Sequence, residues 1–103
     1  MKLLRFALMD TDKAAKVAKA ADDASASLPQ GINILSSYIC QGIPYPDAPP
    51  NTMLAVQVIE ADSNEAIATV NYPVALAGAS VWVVPVLELP VGGAATEEKK
   101  YRS

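Results

Sequence analysis

Four stretches with strand character and two amphipathic stretches alternate along the chain as strand, helix, strand, strand, helix, strand. They run over Lys2–Met9, Thr11–Leu28, Ile32–Gln41, Thr52–Glu60, Ser63–Ala77 and Ser80–Leu89. Apolar positions recur with a period near two in the strand segments and near 3.6 in the helical ones. This order predicts an α+β fold, a four-stranded antiparallel sheet with two helices on one face, in the ferredoxin-like βαββαβ arrangement.

The first helix should begin where Asp10 or Thr11 accepts hydrogen bonds from the free N–H groups of the first turn, with Asp12 favoured at the positive end of the helix dipole. Its apolar stripe is thin: Ala14, Val17, Ala18, Ala21, Ala24 and Leu28 share one side, so small side chains let the helix lie close on a sheet. Pro29 to Gly31 end it. The second helix starts with Asp62 and Glu65 three residues apart, the spacing of a capping box, ahead of the stripe Ile67, Val70, Val74 and Ala77. Pro73 removes a backbone donor inside it, so a kink or break is expected near Asn71–Pro73, with Gly78 as the exit.

The strands carry apolar residues on both faces, where a half-solvated strand would alternate. In the first, Leu4, Phe6 and Leu8 suit the side under the helices, leaving Leu3, Arg5 and Ala7 on the other. In the third, Leu54, Val56 and Val58 oppose Met53, Ala55, Gln57 and Ile59. The last strand is almost solidly apolar from Val81 to Leu89, and Pro85 within it predicts an edge position or a bulge. A sheet face this apolar needs a cover, and the sheet of a second copy would supply one, pairing two sheets into a barrel. Between the second and third strands, Gly42–Asn51 holds four of the eight prolines and should be stiff. Residues 1–91 are thus expected to form the domain, and residues 92–103 a polar, flexible tail, mobile or used to latch onto a neighbour.

Composition strengthens the expectation of self-association. The chain has 103 residues, 51% hydrophobic and only 18% charged, and a chain this short buries about 60–70% of its unfolded surface. The net charge of −3 and the scattered lysines, with no aromatic stripe among them, argue against a nucleic-acid partner. The apolar start is broken by Arg5 and followed by Asp10 and Asp12, which reads as a strand rather than a signal peptide. No stretch reaches the roughly 18–20 apolar residues of a membrane span, so no membrane partner is expected. With one cysteine, Cys40, the chain suits a reducing compartment, and a cytoplasmic location is expected. It has no histidine and no glycine-rich phosphate loop, so neither a metal nor a cofactor is expected.

The stretch Glu60-Ala61-Asp62-Ser63-Asn64-Glu65-Ala66-Ile67, followed after a helix by Val83-Val84-Pro85-Val86-Leu87, resembles the second half of dimeric α+β-barrel proteins. The likeness is to small uncharacterised single-domain members of that superfamily and, more loosely, to the muconolactone isomerase family. It implies two ferredoxin-like sheets packed face to face. The superfamily includes isomerases, haem-binding proteins, cofactor-free oxygenases and amino-acid-sensing modules; lack of histidine speaks against the branches that ligate haem through one. Asn71, Tyr72 and Trp82 resemble the residue types of the oxygenases without matching a spaced motif.

Arg5 is the most pointed candidate for a site. An arginine in a strand is costly to bury unless it meets a carboxylate, either a ligand's or that of Glu60 or Glu88; the alternative is an ion pair at the rim. Gln57 could orient a carbonyl, and Tyr38 and Tyr72 could each bring a hydroxyl to a pocket mouth or lie at an oligomer interface. Tyr45 has the same two readings. Cys40 has no histidine to activate it and reads as an inert thiol, and the cap explains Asp62 and Glu65. Two functions remain open: an oligomeric module that binds a small organic ligand or serves as an accessory protein, and a cofactor-free isomerase or oxygenase acting on an organic acid or aromatic compound.

Overall fold

The computed structural model describes residues 1–102. Strand β1 (Lys2–Asp10) leads through a 3-10 turn at Thr11–Lys13 into helix α1 (Ala14–Ser25); β2 (Ile32–Ile39), β3 (Thr52–Ala61), α2 (Asn64–Leu76) and β4 (Ser80–Pro85) follow, then a C-terminal helix α3 (Ala94–Arg102). The four strands form one sheet in the order β2-β3-β1-β4, with every neighbouring pair antiparallel. Helices α1 and α2 pack on each other and on one face of this sheet, giving the expected ferredoxin-like arrangement. Pro85 ends β4 at the sheet's edge, where its missing N–H interrupts no inner ladder.

Several local expectations are corrected. The helix side of β1 is Leu3, Arg5, Ala7 and Met9, all buried, so Leu4, Phe6 and Leu8 face away from the helices. Both parities are apolar, so hydrophobicity alone does not choose between them; Arg5 does, because its guanidinium is bonded to α2 and β3. Neither Asp10 nor Thr11 caps α1 through its side chain, and the first turn tightens into 3-10 geometry instead. Ser63, not Asp62, is the N-cap of α2: its backbone is extended, and its hydroxyl accepts from the Ala66 N–H at 3.2 Å. Of the kink or break expected near Asn71–Pro73, the break does not occur: helix α2 continues through Pro73 to Leu76. The tail holds the helix α3, and its final residue, Ser103, lies outside the described residues.

In β2 the register shifts between Ile34 and Ser36, with Leu35 as the extra residue of a β-bulge. Before the bulge, Ile32 and Ile34 pair with Ala61 and Ile59 on the helix side. After it, Ser37 pairs with Gln57 and Ile39 with Ala55, again on the helix side, while Tyr38 joins Val56 on the open face.

The core is in two parts. One gathers Leu3, Ile32, Ile59, Ala61, Ile67 and Val70; the other gathers Ala7, Met9, Val17, Val74 and Ala79. Between them, in register across β2, β3 and β1, runs the polar row Ser37, Gln57, Arg5. Among the described residues no helix covers the sheet's other face: Leu4, Phe6 and Leu8 of β1 lie beside Leu54, Val56 and Val58 of β3, and Phe6 stacks on Trp82 at 5.1 Å with an interplanar angle of 13°. The radius of gyration, 15.5 Å, exceeds the roughly 13 Å of a compact domain this long. Beyond β4 the chain leaves Leu87, Leu89 and Val91 exposed, and α3 buries none of its residues.

Candidate functional site

A cavity of about 330 Å³ lies between α1 and the sheet. Its roof is the alanine face of α1, Ala14, Ala18 and Ala21 with Val17; its floor is Ala7 and Met9 of β1 and Met53 and Ala55 of β3. Ile39 and Val74 close the sides. The thin stripe of α1 accounts for the space: alanine methyls do not fill the gap that leucines would, so the helix rests on α2 more than on the sheet. Arg5 and Gln57 are the lining residues with polar side chains.

Those two side chains belong to a continuous network. Arg5 is 6% exposed, and its Nε donates to Asn71 Oδ1 at 2.6 Å, its Nη1 to Gln57 Oε1 at 2.6 Å and its Nη2 to the Val70 carbonyl at 2.9 Å. Gln57 Nε2 in turn donates to Ser37 Oγ at 2.9 Å. The Leu35 bulge makes that last bond available, because with Leu35 paired in the ladder Ser37 would point to the other face. Every acceptor around Arg5 is neutral. Burial pushes its guanidinium below the ordinary arginine value, with no carboxylate close enough to offset this. Arginine nevertheless stays protonated, so a full positive charge sits at one end of an apolar cavity.

The anticipated carboxylate partners are elsewhere. Glu88 pairs with Lys2 outside the core, which lowers the Glu88 pKa and raises that of Lys2 through their hydrogen bond and mutual attraction. Glu60 is exposed and lies opposite Lys2 on β1. Of the candidate residues, Arg5 and Gln57 come together, but under the helices of one chain and not on the face expected to meet a second sheet. Tyr38 is 62% exposed on the open face, and Tyr72 is 68% exposed on α2; neither lines the cavity. Asn71, which the sequence offered only as a residue type of the oxygenases, is the helix partner of Arg5; the signal for it is its place on the stripe of Ile67, Val70 and Val74, four residues after Ile67. Cys40 is a half-buried free thiol. Among the described residues, no three or more His, Cys, Asp or Glu side chains gather as a metal site, and no helix is long and apolar enough to cross a membrane.

No family model matches the chain, and no curated protein does either. Among solved structures, the chain is similar to the uncharacterized protein TM1266 from Thermotoga maritima, with a TM-score of 0.57 and 17% identity over 84% of this chain and 96% of that one. Weaker likenesses are to a DUF3240 family protein from Shewanella baltica (TM-score 0.49, 9% identity, 86% and 93% covered) and to CutA1 from the psychrotrophic bacterium Shewanella sp. SIB1 (0.44, 14%, 99% and 96%). The first likeness carries the fold, a small ferredoxin-like α+β protein, and agrees with the strand order.

Proposed function

We propose that this protein is a small-ligand-binding module whose site is the cavity between α1 and the sheet, and that it works as a self-associated pair joined through the open sheet face. One observation carries the binding reading: an apolar cavity of about 330 Å³, within the size range of ligand pockets, with a buried arginine network at one end. Its lining contains no Asp, Glu, Tyr or Cys to move a proton, which favours binding over the alternative of a cofactor-free isomerase or oxygenase. Self-association is supported by the uncovered apolar face, where Trp82 is 42% exposed beside Phe6.

Thermal shift and calorimetric titration with small apolar organic compounds test the binding reading. Wild-type protein should bind members of the panel, and Ala18→Leu, which fills the cavity from its roof, should lose at least tenfold in affinity while still folding. A wild-type chain that binds nothing in the panel, or an Ala18→Leu variant that binds as well as wild type, would remove the cavity as the site.

A further inference from the structure

The cavity holds a charge that no counter-charge among the described residues matches. Arg5 donates to three neutral oxygens and, among the described residues, forms no ion pair. A guanidinium carries five N–H donors. Three are used, one each on Nε, Nη1 and Nη2, so one remains on each terminal nitrogen. Gln57 makes the mismatch more specific: its amide oxygen lies 2.6 Å from Nη1, where a glutamate of the same shape would neutralise the arginine. A buried cation kept beside a neutral amide, at the polar end of an apolar space, is suited to an anion that arrives from outside.

We propose that the cavity takes a small monocarboxylate, its carboxylate meeting the unspent N–H groups of Arg5 and its apolar body lying between the alanines of α1 and the methionines of the floor. This rests on the ligand-binding reading above and names the ligand class. The volume sets the body size. About 330 Å³ is roughly twice an apolar cavity that admits benzene, which suits about six to ten carbons, a ring on a short arm or a medium alkyl chain. Met9 and Met53 give the floor an unbranched, adaptable surface that tolerates either shape. A second charge at the far end of the ligand would be stranded against Ala7, Ala55 and Val17, so dicarboxylates fit poorly.

The test is calorimetric titration of the full-length protein with hexanoate and phenylacetate, alongside hexanamide and phenylacetamide, which share their shapes without the charge. Each carboxylate should bind at least tenfold tighter than its amide. Gln57→Glu, which supplies the counter-charge internally, should raise the melting temperature of the ligand-free protein and abolish that preference. Carboxylates and amides binding equally would overturn the inference while leaving the cavity as a ligand site; no binding by any of the four would overturn both. Should Gln57→Glu fail to fold, the pH dependence of the wild type decides the matter. Arginine does not titrate between pH 3 and 7, so carboxylate affinity should fall about tenfold per unit below the ligand's own pKa of roughly 4–5. A flat profile would sink the proposal.

Discussion

At Arg5, desolvation works against three short hydrogen bonds, and substitution can separate the two. Arg5→Lys keeps the charge but replaces a planar fork with a compact ammonium whose pKa shifts readily on burial. In the folded variant the lysine pKa should lie below its unfolded value of about 10.4, so the unfolded chain binds more protons in between and stability rises with pH across that window. Relative to wild type, the lysine variant should therefore be less stable at pH 7 than at pH 10 in denaturant titrations. An equal difference at both pH values would show that position 5 is not desolvated as described. Arg5 itself was legible in the sequence as a costly residue in a strand, but its orientation was not. Leu4, Phe6 and Leu8 are more apolar than the set that went under the helices, and the deciding partners, Asn71 and the Val70 carbonyl, are 65 residues or more away in the chain.

At the scale of elements, helices and strands were legible where a periodic stripe ran without competition, and their ends were not. Ser63 took the cap from Asp62 because the helix begins one residue later than the acidic pair implied. Strand β4 stops at Pro85, although its apolar run continues to Leu89, because composition does not supply the neighbour a ladder needs. Pro73 is an instance of packing overriding local preference: α2 stays helical through it although residue 73 cannot donate to the Thr69 carbonyl. Val70 and Val74, both buried, hold the helix on either side of it. Pro73→Ala should restore that donor and raise stability by about 1–3 kcal/mol, read as a higher denaturant midpoint with an unchanged slope. A midpoint at or below that of wild type would mean that the proline is needed where it is.

For the molecule as a whole, the helices protect one face of the sheet, and the arm beyond β4 adds further uncovered apolar side chains. Helix α3 is nine residues long and supported by Glu97–Lys100 and Glu98–Arg102 pairs, with acidic residues early and basic ones late, yet an isolated helix of that length is marginal in water. We therefore expect the arm and the open face to be used by a second copy. Trp82 is the sole tryptophan, so its emission should shift to the blue as concentration rises through the association range, in step with the mass measured by light scattering, and Trp82→Glu should leave a folded monomer. A monomer at every concentration, or a dimer unaffected by that change, would assign the face another use. The bulge at Leu35 reaches further than one hydrogen bond. A strand is read two residues at a time, so drawing Leu35 into the ladder would shift the phase of everything after it: Ser36 would take the place of Ser37 opposite Gln57, Tyr38 would turn toward the alanines of α1, and Ser37 and Ile39 would turn outward. The bulge thus decides that an isoleucine rather than a phenol stands at the side of the cavity, with every residue of the lining on β1, β3 and α1 left as it is.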